Sequence, residues 1–294
     1  MLILERPWTR QPQAAVNLDK HSSIALLNVL SWNATRPAHA EKKGDFTGIP
    51  YNLTQAASIA GKYGPVVAQS FNGTNSYVSL GDPTPTNIGT GSIAFEVLFR
   101  TTSVVTPQML IAKDSYITNG REYLLSINEE SRNGHVRLVL FSGNNAYFVL
   151  ETPIAAITAN TWHHLFACRA ANTTNEGLSI FVDGVYQTRT NAANAGFPTA
   201  TVQNGETEAR IGSRTYTGNF NYFSGDIAFA RIYTNTPADC TAIAKALADN
   251  PWQLFAPRRI YIPTPAAAAS APTITALSAI GITATSAQPR ISYS

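Results

Sequence analysis

Carboxylates are the first residues to weigh, because splitting a glycosidic bond needs two of them, about 5–10 Å apart across the sugar. The chain offers Glu96, the neighbours Glu129 and Glu130, and the pair Glu206 and Glu208. Two acids share one face of a strand only at even spacing. Glu96 stands alone in its stretch. Glu129 and Glu130 are adjacent, face opposite sides and lie beside a turn. Glu206 and Glu208 have the spacing but follow Asn204-Gly205 at a strand edge. Solvated loop acids are the expectation, with no catalytic residue and no enzyme. His163-His164 is the other suggestive pair. Strand neighbours point to opposite faces, so they do not readily share one ion. No acid lies beside them in the sequence. One is expected to face the core and the other the surface.

The residues best suited to binding are aromatic and sit in polar loops. Arg214, Tyr216, Asn219, Phe220, Asn221 and Tyr222 crowd one loop between two strands. Tyr147 with Asn144 and Asn145, and Tyr116 with Arg121, repeat that chemistry elsewhere. Aromatic faces stack on sugar rings or anchor a protein contact, and amides supply paired donors and acceptors. Glycan binding and packing against another subunit are both open for these residues.

The elements that must position them read as β-strands. Apolar stretches of 4–11 residues recur from Val66 to Thr234, separated by Asn72-Gly73, Asn133-Gly134, Gly143-Asn144-Asn145, Asp183-Gly184 and Asn204-Gly205. Many short strands with close turn signals predict a sandwich rather than alternating βαβ units. One helix follows, started by Thr236-Pro237 with Asp239 in its first turn, continuing through the Ala-rich Thr241 to Asp249 and stopped by Asn250-Pro251. The expected organisation is an N-terminal arm over 1–22, a β body over 23–250 and an extended C-terminal arm over 251–294. A weakly alternating stretch at 273–284 would be an added strand in that second arm.

Composition narrows the partners. Of 294 residues, 44% are hydrophobic and only 13% charged, so Thr, Asn, Ser and Gln must supply the polar surface. The net charge is +3, and beyond Asp249 there are three arginines (Arg258, Arg259, Arg290) and no acid. The body is therefore neutral, and no basic stripe points to nucleic acid. No apolar run approaches a membrane span. The opening Met1–Trp8 does not read as a secretory leader, so synthesis in a cytoplasm is expected. Cys168 falls in a core strand and Cys240 at the helix start. Two cysteines make no disulfide framework, and whether they bridge is open.

Trp162-His163-His164 running into Phe181-Val182-Asp183-Gly184 resembles the laminin-G/pentraxin-like branch of the concanavalin A-like jelly rolls. Ser70-Phe71-Asn72-Gly73 to Tyr77-Val78, Ser92 to Phe99, Arg210-Ile211-Gly212 and Phe223 to Tyr233 extend the resemblance over roughly residues 60–250. It implies an all-β two-sheet jelly-roll sandwich with one short C-terminal helix. It also implies a rim that can hold Ca²⁺, with oxygens available at Asp82, Asp114, Asn119, Asn219 and Asp226. No continuous acidic loop gathers these, so no metal and no cofactor is expected.

The flanks, Arg6 to Gln13, Asn250 to Phe255 and Ile282 to Arg290, resemble those of laminin-G-like proteins of tailed bacteriophages and prophages. That resemblance implies a non-catalytic virion protein, in a tail or on a capsid. Its arms (Trp8, Trp252, Phe255, Arg258, Arg259, Tyr261) would lock it to other virion subunits in a homo-oligomer. The alternative is a carbohydrate-binding module for a bacterial surface glycan. A glycoside hydrolase ranks third, for want of the carboxylate pair.

Overall fold

In a computed structural model, the described residues are 2–6, 27–34, 40–41, 49–56, 61–82, 87–115, 120–196, 199–216, 218, 220–253 and 258–262. Residues 6–258 make one unit, and 1–5 with 259–294 a second. In the second unit, β1 (Leu2–Arg6) pairs with β19 (Arg258–Ile262) in a two-stranded sheet. Arg258, Arg259 and Tyr261 fall in that strand. Trp8 and Phe255 lie outside the described residues, as does the stretch 273–284.

The first unit is a jelly-roll sandwich of two antiparallel sheets. The front sheet runs, in spatial order, β16 (Asn191–Ala195), β12 (Tyr147–Glu151), β11 (Val136–Phe141), β10 (Tyr123–Ile127), β9 (Gln108–Lys113), β17 (Arg210–Ile211), β7 (Tyr77–Ser79) and β4 (Ile49–Tyr51). The back sheet runs β15 (Val185–Tyr186), β14 (Leu178–Val182), β13 (His163–Arg169), β8 (Ile93–Thr101), β18 (Ser224–Thr234), β2 (Leu27–Asn33) and β3 (Ala40–Glu41). β6 (Gln69–Asn72) also pairs with β18, and β5 (Thr54–Gln55) with β6.

Period-two alternation builds the core. Tyr123, Leu125 and Ile127, with Val136, Leu138 and Leu140, point inward from the front sheet. Ile93, Phe95, Val97 and Phe99, with Leu165 and Ala167, meet them from the back sheet. The outer faces are covered too, which explains strands buried at nearly every position. Helix α1 (Thr241–Asp249) lays Ala244 and Leu247 on Phe166, Phe181 and Tyr233 of the back sheet. Cys168 and Cys240 are free thiols in that same apolar cluster. The helix begins later than Thr236-Pro237 suggested, and Asp239 stands before it, accepting the Thr241 N–H at 2.8 Å.

Tyr63, Val66, Trp162 and Trp252 roof the other half of that face, over Leu98 and Phe229. Trp252 corrects the expected arm anchor. It is 1% exposed, edge-on to Phe229 at 5.8 Å, and belongs to this chain's own body rather than to a neighbour's surface.

Several of the charges lie inside. Lys113 is fully buried between Glu122 (2.7 Å) and Asp82 (2.8 Å). Burial pushes the Glu122 carboxyl up, against the pull of Lys113. Arg169 donates to the carbonyls of Gly89, Gly91, Thr173 and Ala200, tying three loops together. Burial lowers its pKa to about 10. A buried cation must find such partners, because an unpaired one is far costlier than the pair is favourable.

Candidate functional site

The outward residues of the front sheet form a ladder across all eight strands: Ala193, Val149, Val139, Leu124, Ala112, Arg210, Ser79 and Ile49. Its central members, Val149, Val139, Leu124 and Ala112, are buried. Near the middle of the ladder, Val139 and Leu124 underlie a cleft of about 170 Å³, lined by Arg121, Leu124, Glu129, Arg137, Val139, Phe141, Tyr147 and Arg214.

Each wall residue is held. The Arg121 guanidinium lies 3.9 Å from the Phe141 ring centre and donates to Asp114 at 2.8 Å. Tyr147, paired across strands with Phe141, has its ring 5.9 Å away. Arg137 is bound by Glu130 (2.7 Å) and Glu151 (3.2 Å). The segments 212–216 and 220–223 run as the two arms of a hairpin, held by the Phe223 N–H on the Gly212 carbonyl and the Arg214 N–H on the Phe220 carbonyl. From it Arg214 reaches Asp114 at 3.5 Å and covers the Tyr216 ring at 4.8 Å. Asn221, from the same hairpin, donates to Glu129 at 2.7 Å. The cleft thus has an apolar floor, one aromatic wall and a rim of guanidinium and carboxylate groups already paired within the chain.

Arg121, Tyr147 and Arg214, separate in the sequence, therefore meet here, with Tyr216 and Asn221 behind them. Phe220 and Tyr222 do not line the cleft, and Asn145 is exposed on the 142–146 turn. Tyr116 and Asn219 lie outside the described residues. Sequence reasoning missed Glu129, Arg137 and Phe141. A signal was present. Arg137, Val139 and Phe141 are out of phase with Val136, Leu138 and Leu140, and so mark a second apolar face with a charge on it.

Among the described residues Glu129 is the one carboxylate lining the cleft. Glu96, by contrast, is sealed under the roof of the back sheet. Its carboxylate takes Arg231 Nη1 at 3.0 Å, His164 Nε2 at 2.8 Å and the Tyr233 hydroxyl. Burial alone pushes its pKa up, but Arg231, His164 and Tyr233 outweigh burial and hold it at about 2.

The histidines also differ from expectation. They do point to opposite faces, yet both are buried, at 6% and 1% exposure, because both faces of the back sheet are covered. Each finds a carboxylate that is distant in sequence. His163 Nδ1 lies 2.9 Å from Asp183, and His164 meets Glu96. Asp183 also accepts the His164 N–H (3.0 Å) and the Tyr63 hydroxyl (3.0 Å) from its place at the β14–β15 turn. Burial raises its pKa, and the His163 and His164 hydrogen bonds reverse that, to about 2.

Thr158, His163 and Asp183 superficially resemble a hydroxyl–imidazole–carboxylate relay, with Thr158 Oγ1 at 3.1 Å from Nε2. The Thr158 backbone N–H donates to the same nitrogen at 3.0 Å. That bond assigns the proton to Nδ1 and uses the lone pair a general base would need.

Three of the oxygens considered for Ca²⁺ are engaged elsewhere, and Asn119 and Asn219 lie outside the described residues. Asp82 binds Lys113, Asp114 binds Arg121 and Arg214, and Asp226 binds Arg100 at 2.9 Å. Among the described residues no three His, Cys, Asp or Glu side chains gather as a metal site.

A family model described as the concanavalin A-like lectin/glucanases superfamily, of the laminin G type, matches residues 72–239, more than half of the chain. The chain belongs to the concanavalin A-like lectin/glucanases superfamily. No curated protein matches it by sequence. Among solved structures it is similar to domain 4 of AbnA, a GH43 extracellular arabinanase from Geobacillus stearothermophilus, in complex with arabinotriose. The identity is 18% and the TM-score 0.51, over 76% of this chain and 98% of that one. The binding domain of botulinum neurotoxin DC, in complex with rat synaptotagmin II, is 10% identical with a TM-score of 0.50. That match covers 76% of this chain and 51% of the other. The CBM40 of the Ruminococcus gnavus IT-sialidase is 15% identical with a TM-score of 0.41, over 67% and 98%. At these identities the likeness shows the lectin/glucanase fold alone.

Proposed function

We propose that the protein is a non-catalytic carbohydrate-binding domain whose outer-face cleft holds a sugar ring. The observation that carries this is the cleft's composition. Tyr147 offers an aromatic wall to the C–H face of a sugar, above Leu124, Val139 and Phe141, which are themselves buried. Arg121, Arg137, Arg214 and Glu129 stand where ring hydroxyls would need donors and acceptors. At about 170 Å³ it is smaller than the roughly 300 Å³ at which drug-sized pockets begin, and suits one ring. The rim charges are matched within the chain, which favours a neutral ligand. A single lining carboxylate supports binding without hydrolysis. The similar arabinanase domain was solved with arabinotriose, which agrees with this reading.

The virion role expected from the flanks gains nothing from the family match or the similar structures. One of its anchors, Trp252, is buried in its own body.

A glycan array followed by calorimetry tests the reading. Arg137→Ala and Tyr147→Ala should each weaken binding about tenfold or more, while Tyr186→Ala, on the back sheet, should leave it unchanged. Absence of binding to any glycan, or full binding by both cleft variants, would refute it.

A further inference from the structure

The same outer face carries a second group of rings beyond the hairpin. Tyr51 on β4 and Tyr77 on β7 are direct cross-strand partners, with ring centres 4.4 Å apart and planes within 14°. Arg210 on β17 approaches from the other side of β7, its guanidinium 4.3 Å from the Tyr77 ring, and Glu208 fixes it there. The ring of Tyr222 lies 6.4 Å from that of Tyr77, and Phe220 stacks on Tyr222 at 5.4 Å and 26°. Tyr51 is 39% exposed and Phe220 36%, with Ile49 beside them at 52%.

Rings locked against one another lose little further rotamer freedom when a ligand arrives. Exposed aromatic surface of this kind is unfavourable in water unless it is used. Arg210 is neutralised by Glu208, so the ridge calls for neither phosphate nor carboxylate. Its chemistry is neutral stacking with hydroxyls at the ring edges, as sugars require. Tyr51 lies outside the residues that match the family model.

The hairpin joins the two places. Arg214 lines the cleft from it, and Tyr222 joins the ridge from it. β10, under the cleft, and β7, under the ridge, are three strand steps apart, about 14 Å.

We propose that the ridge is a second subsite for the same ligand, which is therefore an extended neutral oligosaccharide rather than a lone terminal sugar. This rests on the carbohydrate-binding reading. The probes are arabino-, xylo- and cello-oligosaccharides of two to six units, titrated by calorimetry into the full chain.

At least one series should bind about tenfold more tightly at six units than at two. Tyr51→Ala and Phe220→Ala should remove that gain and leave the two-unit affinity unchanged. Equal affinity at all lengths, with two-unit binding intact, overturns the ridge alone. So does a length gain that survives both variants. No binding of any series, together with a blank array, overturns both proposals. A change of oligomeric state in Tyr51→Ala by sedimentation would make the ridge a contact between copies, and would also overturn the subsite.

Discussion

Replacing Glu96 by Gln separates a scaffold acid from a catalytic one. Glu96 is fully buried, and its partners hold it at about 2, against 4.5 for a free carboxyl. The difference corresponds to about 3 kcal/mol of folding stability. Because the folded value is the lower, that contribution is complete above about pH 4.5 and fades as the pH falls toward 2. Gln leaves Arg231 buried opposite a neutral group, and breaking a buried pair costs roughly 3–5 kcal/mol. This is a visible part of a total stability of about 5–15 kcal/mol.

Urea unfolding of both proteins, followed by tryptophan fluorescence between pH 7 and 3, measures it. The gap should be about 3 kcal/mol at pH 7, flat down to pH 5, and smaller by over 1 kcal/mol at pH 3. Asp183 and the other acids titrate in both proteins, so the gap isolates Glu96. A gap below about 1 kcal/mol at pH 7, or one unchanged at pH 3, refutes the reasoning. So would polysaccharide hydrolysis abolished by the substitution in a chain of unaltered stability.

Two further changes probe the roof and the hairpin. Trp252→Ala, or truncation after Asn250, should lower stability by about 3–5 kcal/mol, since it empties a site packed on Phe229 and Tyr63. Thermal unfolding checks this, and a loss under 1 kcal/mol would return Trp252 to the arm. Gly212 has φ +81°, and a Cβ there would sit 2.5 Å from the Phe71 ring. Gly212→Ala should therefore displace the hairpin, costing about 2–4 kcal/mol and weakening glycan binding, as denaturation and calorimetry would show.

Much of the scaffold was legible in the residue order. Val182-Asp183-Gly184-Val185 makes the expected tight hairpin, with Asp183 and Gly184 both at positive φ. The apolar stretches around 122–128 and 135–141 are indeed strands, Tyr123–Ile127 and Val136–Phe141. The apolar run at 23–32 has no clear period and fits strand or helix equally, and pairing with β18 makes Leu27–Asn33 a strand.

The site was half legible. Tyr147, Arg121 and Arg214 were recognisable as polar-aromatic loop chemistry. Their meeting was not, since a strand's period says which way a side chain faces but not what lies opposite it.

That limit divides what each level of description decides. The sequence by itself determined a two-sheet sandwich and a short helix after its last long strand, because turns and period-two patterns are local. Only the tertiary structure decided that His163 and His164 each meet a distant carboxylate. It also decided that Trp252 closes the body, and that one hairpin divides a cleft from a ridge of rings. Those outcomes depend on which remote segments cover each face of a sheet, and that is settled by packing rather than by any local pattern.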